Sequence, residues 1–137
     1  MFAPLLYYIF LIPLSLLPPA GMYAFSDFLY LVLYRLLSYR KKVVVTNLKN
    51  SFPEKSDAEI KLITKKFYRH FCDLVVESLK TFSASPQAIR SRVELVNLEL
   101  IDRLYKEGRS VILATGHYAN WEWPAITLPF HSAHTAT

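Results

Sequence analysis

From Met1 to Tyr34 the chain is almost continuously apolar, with Asp27 the one side chain charged at neutral pH among Leu, Tyr, Phe, Ile and Pro. A helix that crosses a bilayer needs roughly 20 mostly apolar residues, and Leu5 to Phe25 supplies that length. Pro13, Pro18, Pro19 and Gly21 interrupt it, so the pattern predicts two short helices, about Leu5 to Leu17 and Met22 to Leu37, joined at Pro18-Pro19-Ala20-Gly21. Such a pair can span with a kink, re-enter, or lie partly in the interface. Val43, Val44, Asn47 and Leu48 suit a short amphipathic helix between Arg40 and Ser51, which Pro53 ends. Ser56-Asp57-Ala58-Glu59 then has the form of a capping box. Behind it Ile60, Ile63, Phe67, Phe71, Leu74 and Ser78 recur at three and four, predicting one long amphipathic helix from Asp57 to about Thr81. That stripe is expected to face a core, with Lys61, Lys65, Lys66 and Arg69 turned away from it.

The pattern changes after Ser83 to Ser85, where Pro86 opens a new helical turn. Val93-Glu94-Leu95-Val96 alternates like a strand, and Asn97 can cap a helix over Leu98 to Glu107, which Gly108 stops. Ser110 to Ala114 is a short apolar run of buried-strand type. Strand, helix, strand predicts a parallel α/β unit, and in open α/β sheets sites form beyond the carboxyl ends of strands. Thr115 to Pro124 occupies that place.

Charge sharpens the division between the two ends. All sixteen Lys and Arg residues lie at or beyond Arg35, so the net charge of +5 understates how basic the remainder is. Met1 to Pro4 carries no basic residue, whereas Arg35, Arg40, Lys41 and Lys42 follow the apolar region. That asymmetry argues for an uncleaved anchor over a signal peptide and puts the downstream chain in the cytoplasm. The same four residues are placed to meet anionic head groups, or to form a solvated helix face. Cys72 is the single cysteine, which excludes an internal disulfide framework and a multi-cysteine zinc site. Its helical, apolar surroundings mark it as a small buried residue without chemistry.

His117 and Glu122 carry the candidate chemistry. Acyl transfer to an alcohol needs a base for the hydroxyl proton, and imidazole suits near-neutral pH. A carboxylate on the far ring nitrogen fixes the tautomer and stabilises the imidazolium. Positions five apart on a regular helix point about 140° apart, so a bend must intervene. Gly116 is expected to supply it, with His117 on the turn and Glu122 in the first turns of the next helix. The spacing also disfavours a zinc-protease helix, which needs histidines four apart. His131 and His134 are expected to be surface residues without a task.

Two stretches give these residues a setting. Arg40-Lys41-Lys42-Val43-Val44-Val45-Thr46-Asn47-Leu48 and Ser51-Phe52-Pro53-Glu54-Lys55-Ser56, continued by Phe67, Asp73 and Glu77, form the first; Val111 to Glu122 forms the second. Together they resemble the bacterial lipid A late acyltransferase family, including its His-x4-acid motif. The resemblance implies N-terminal membrane-anchor helices over residues 1–37, followed over 38–137 by the first half of a glycerolipid-acyltransferase-like α/β domain. It implies His117 as general base, Glu122 as its orienting carboxylate, and Asn120 and Trp121 as substrate-binding motif positions. It further implies a lipid acceptor, an acyl carrier protein or coenzyme A thioester as donor, no metal or other cofactor, and no nucleic acid. The location implied is the inner membrane, with the catalytic part facing the cytoplasm. Members of the family continue past the motif, so the chain is expected to be truncated or completed by a second polypeptide. A lysophospholipid or aminolipid acceptor, or a non-catalytic membrane-bound fragment, are the alternatives.

Overall fold

The computed structural model describes the backbone of residues 2–131 and the side chains of residues 4–127. It forms two compact units, Met1–Lys80 and Thr81–Thr137.

In the first unit α1 (Phe2–Leu6) runs through a π-helical turn (Tyr7–Leu11) into α2 (Ile12–Leu16). The widened turn immediately precedes Pro13, whose ring cannot sit against the carbonyl four residues back in a regular helix. The chain breaks where the paired prolines predict. Leu17 and Pro18 take extended backbone, with ψ of 142° and 159°, because each precedes a proline. Pro19 then starts α3 (Pro19–Tyr30), three residues before the expected Met22, because proline is suited to the first helical turn; Ala20 and Gly21 are therefore helical and not part of the joint, and the helix continues through a second π-helical stretch, Leu31–Leu36. No single described helix is long and apolar enough to cross a membrane, but Pro4–Leu16 and Pro19–Leu36, bent by 118°, reach that length and composition as a pair. Leu5, Leu6, Tyr8, Ile9, Phe10 and Leu16 are among the large apolar side chains that remain exposed on it.

The chain reverses through Ser38 and Arg40, both with left-handed φ (47° and 50°), into α4 (Lys41–Ser51). The long helix α5 (Asp57–Lys80) follows. Its start is the predicted capping box: the Ser56 N–H donates to Glu59 Oε2 at 2.9 Å, and the Glu59 N–H donates to Ser56 Oγ at 3.4 Å. Ser56→Ala is expected to cost about 1 kcal/mol, read as a lower midpoint in thermal unfolding. The bonds from Ser56 hold the Glu59 carboxyl below its usual range, and a hydrogen bond from Lys49 does the same for Asp57. Depressed folded values mean that this stabilisation is complete above the unfolded value of about 4 and is lost as pH falls through the folded one. The difference between the midpoints of variant and parent should therefore narrow in acid, to the share held by the Glu59 N–H to Ser56 Oγ bond.

The buried face of α5 is not the expected one. Ile60, Thr64, Tyr68, Cys72 and Val76 are buried, whereas Ile63 and Phe71 are half-buried and Phe67 is exposed. The helix is turned by about one position, roughly 100°, because the small residues Thr64 and Cys72 occupy the contact line. Thr64 donates to the Ile60 carbonyl at 2.7 Å, so its hydroxyl is satisfied inside the helix. Lys61, Lys65, Lys66 and Arg69 are exposed, as the pattern implies. Burial, with a smaller contribution from Asp73, pushes the Cys72 thiol up, which keeps it protonated and unreactive.

Polar residues on α5 tie it to the apolar helices. The Arg69 guanidinium lies 5.1 Å from the Tyr30 ring centroid; Ser26 Oγ donates to Asp73 Oδ1 at 2.6 Å, and Tyr23 OH to Glu77 Oε1 at 3.0 Å. Lys80 Nζ donates to the carbonyls of Ser15 (2.8 Å) and Leu17 (3.0 Å). A cation thus caps the carbonyl end of α2 at the proline break, where the helix has no amides of its own to offer. Tyr30 stacks on Tyr34 and Tyr68 meets Tyr34 at a tilt of 49°, both with centroid separations of 5.2 Å, and Lys41 covers the Tyr34 ring at 4.2 Å.

The second unit holds α6 (Pro86–Arg90), α7 (Leu98–Lys106) and α8 (Glu122–His131). Ser85 caps α6, accepting from the Ala88 N–H at 3.2 Å. Ile89, Trp123 and Thr127 are buried where α6 and α8 pack, and the Arg92 guanidinium covers the Trp123 ring at 5.0 Å. Gly108 (φ 70°) ends α7 in a Schellman motif: its N–H donates to Tyr105 and the Arg109 N–H to Leu104. Asn97 stands before α7 with left-handed φ of 61°, but its side chain makes no capping bond. Its contribution is tolerance of that backbone geometry.

The α/β expectation is corrected: the described residues contain no strand. Val93 to Val96 and Ser110 to Ala114 lie outside the helices, and the second run is not buried, with Ile112 94% exposed. Alternation or apolarity makes a segment fit for a sheet, but a strand exists only when a neighbour takes its N–H and C=O groups.

Candidate active site

Val111 to Tyr118 is non-helical backbone. At its end the Tyr118 N–H donates to the Gly116 carbonyl at 2.9 Å, closing a three-residue turn with His117 in the middle. Such a turn projects its central side chain outward, and the His117 imidazole is exposed. The next reversal is at Ala119, with φ of 49°, and not at Gly116, which keeps a φ outside the left-handed region. A Cβ added to Gly116 would meet nothing within 4 Å. The bend between histidine and acid therefore exists, displaced by three residues from the glycine expected to make it.

Trp121 closes the turn, and Glu122 is the first residue of α8. A carboxylate in the first helical turn is favoured by the partial positive charge of the unpaired amides there. The His117 and Trp121 rings meet edge to face, with centroids 4.5 Å apart and planes at 60°. This contact orients the imidazole from one side. Four residues apart is the separation at which side chains meet in a helical turn, but here the chain between them is irregular. No hydrogen bond or ion pair joins His117 to Glu122 among the described residues, and both side chains are exposed. Asn120 is half-buried.

Other residues of the motif stretches fall elsewhere. Asp73 and Glu77 accept hydrogen bonds from α3, and Arg35, Arg40 and Lys42 are exposed at or beyond the end of the apolar region. The side chain of His131, and all of His134, lie outside the described residues. Sequence reasoning assigned no role to Lys80 or Tyr68, which hold the first unit together; both are non-local partners, and nothing in their immediate sequence marks them.

An accessible imidazole on a tight turn, flanked by an indole and followed by a carboxylate on a helix start, offers a proton acceptor with room for a substrate hydroxyl. Residues 1–137 match the family model described as bacterial lipid A biosynthesis acyltransferase. No curated protein and no solved structure matches the chain. With the whole of its length covered by that model, the chain belongs to the bacterial lipid A biosynthesis acyltransferase family.

Proposed function

We propose that the protein transfers a fatty acyl group from an acyl carrier protein or coenzyme A thioester to a hydroxyl of a lipid A precursor. The observation that carries the reading is the exposed His117 ring in edge-to-face contact with Trp121, the residue immediately before Glu122 at the start of α8. One ring nitrogen takes the hydroxyl proton as the acceptor oxygen attacks the thioester carbonyl; the carbon–sulfur bond then breaks, and the proton returns to the departing thiolate. Glu122 serves as the positioning carboxylate for the other nitrogen. That bond closes with substrate bound, as catalytic hydrogen bonds often do. Asn120 and Trp121 belong to the acceptor side of the site.

In this reading residues 1–37 attach the protein to the inner membrane, with the remainder in the cytoplasm. The exposed apolar side chains of the bent pair support it, since a surface of that kind calls for a non-aqueous neighbour. Arg35, Arg40, Lys41 and Lys42 then lie at head-group level. Mass analysis of lipid A from cells with and without the coding sequence tests the acceptor. Its loss should leave lipid A one acyl chain lighter; unchanged lipid A alongside altered phospholipids would move the activity to another acceptor.

A further inference from the structure

A groove between α4 and α5 lies within the first unit. It encloses about 340 Å³, within the range of ligand pockets, roughly 300 to 1,000 Å³. Val43, Val44, Phe67 and Phe71 give it apolar walls, and Tyr39, Asn47, Tyr68 and the Arg40 cation complete the lining. The Phe67 and Phe71 rings stack with centroids 6.1 Å apart, and Tyr68 OH donates to the Tyr39 carbonyl, fixing the turn that carries Arg40 against α5. Val43 and Phe67 remain exposed, so the trough presents hydrocarbon to whatever lies outside.

The backbone adds a second observation. Arg40 holds φ of 50°, a region that glycine and asparagine tolerate and arginine adopts at a cost. An exposed cation is kept among the lining residues against that conformational preference.

We propose that this groove binds one acyl chain of an anionic phospholipid of the bilayer, with Arg40 on the lipid phosphate. The trough favours a hydrocarbon chain, and the cation favours an anion. An anionic lipid carries both, joined at the right place. A zwitterionic lipid fills the trough but supplies no net charge, and inorganic phosphate supplies charge without a chain. The site needs no acyl transfer by His117 and stands apart from that reading.

The test uses the full chain in neutral detergent, titrated calorimetrically with dioctanoyl phosphatidylglycerol, dioctanoyl phosphatidylcholine and inorganic phosphate. Phosphatidylglycerol should bind roughly fivefold or more tightly than phosphatidylcholine, one basic residue near an anionic head group being worth about that factor. Arg40→Gln should remove the preference and leave phosphatidylcholine binding unchanged. Arg40→Gly should do the same while melting no lower than the parent, which separates loss of the cation from loss of structure. Val44→Trp, which fills the groove, should weaken both lipids; Phe67→Glu, at an exposed position, gives the same reading if the tryptophan variant loses its helical signal. Equal affinity for the two lipids, phosphate competing as well as the lipid, or full binding by Phe67→Glu overturns the proposal. His117→Ala leaves every one of these titrations unchanged, so failure here and failure of the acyltransferase reading are told apart.

Discussion

His117→Ala is expected to lower acyl transfer by roughly 10² to 10⁴, the usual contribution of a positioned general base. The imidazole is exposed and touches the Trp121 ring edge to face, so the substitution removes a proton acceptor without opening a cavity. Membrane association and helical content should therefore match the parent. Transfer is measured from radiolabelled thioester to lipid acceptor, with sedimentation on vesicles as the control. An undiminished rate would end the assignment of His117, while a protein that fell off the vesicles would point to a structural role. Glu122→Gln should give a smaller loss, since it removes a charge that steers the ring and leaves the ring itself in place.

Tyr68→Ala is expected to destabilise the first unit by about 3 to 5 kcal/mol, the range for truncating a large buried ring. Tyr68 is 1% exposed, packs its ring at a tilt against Tyr34, and donates its hydroxyl to the Tyr39 carbonyl. Burial, followed by the neighbouring Tyr34 and Tyr39, raises its phenol above the ordinary value, so it stays a donor at any physiological pH. Tyr68→Phe separates the two contributions: it keeps the ring and leaves the carbonyl without its partner, at a cost of about 1 kcal/mol. Denaturant unfolding in detergent, followed by circular dichroism, measures both. Equal effects of the two variants would mean that the hydroxyl, and not the ring, holds the helices together.

The features legible in the sequence share a short range. The capping box at Ser56 and Glu59, the break at Pro18 and Pro19, the cap at Ser85 and the Gly108 stop are each completed by partners within five residues. Their physics is that of one helical turn, so residue type and spacing decide them. The placing of His117 on a turn and Glu122 at a helix start follows in the same way, from the need for a bend between them. Which residue makes that bend did not follow, because an isolated Ala with positive φ has no signature, whereas Gly116 invites the assignment.

Tertiary structure decided what no local pattern could. Thr64 and Cys72 lie on the buried line of α5 because helix packing selects for small residues there, while periodicity weighted Phe67 and Phe71 more heavily. Lys80 reads as one more surface cation until the bend at Ser15 and Leu17 is brought to it across the fold. The expected strands show the principle most plainly. Val93 to Val96 and Ser110 to Ala114 have strand-like composition, yet a sheet is a property of two segments, and neither finds a partner among the described residues. The sequence by itself determined the helix caps and breaks that are completed within one turn; the tertiary structure alone decided which faces are buried, because burial and sheet pairing depend on segments far apart in the chain.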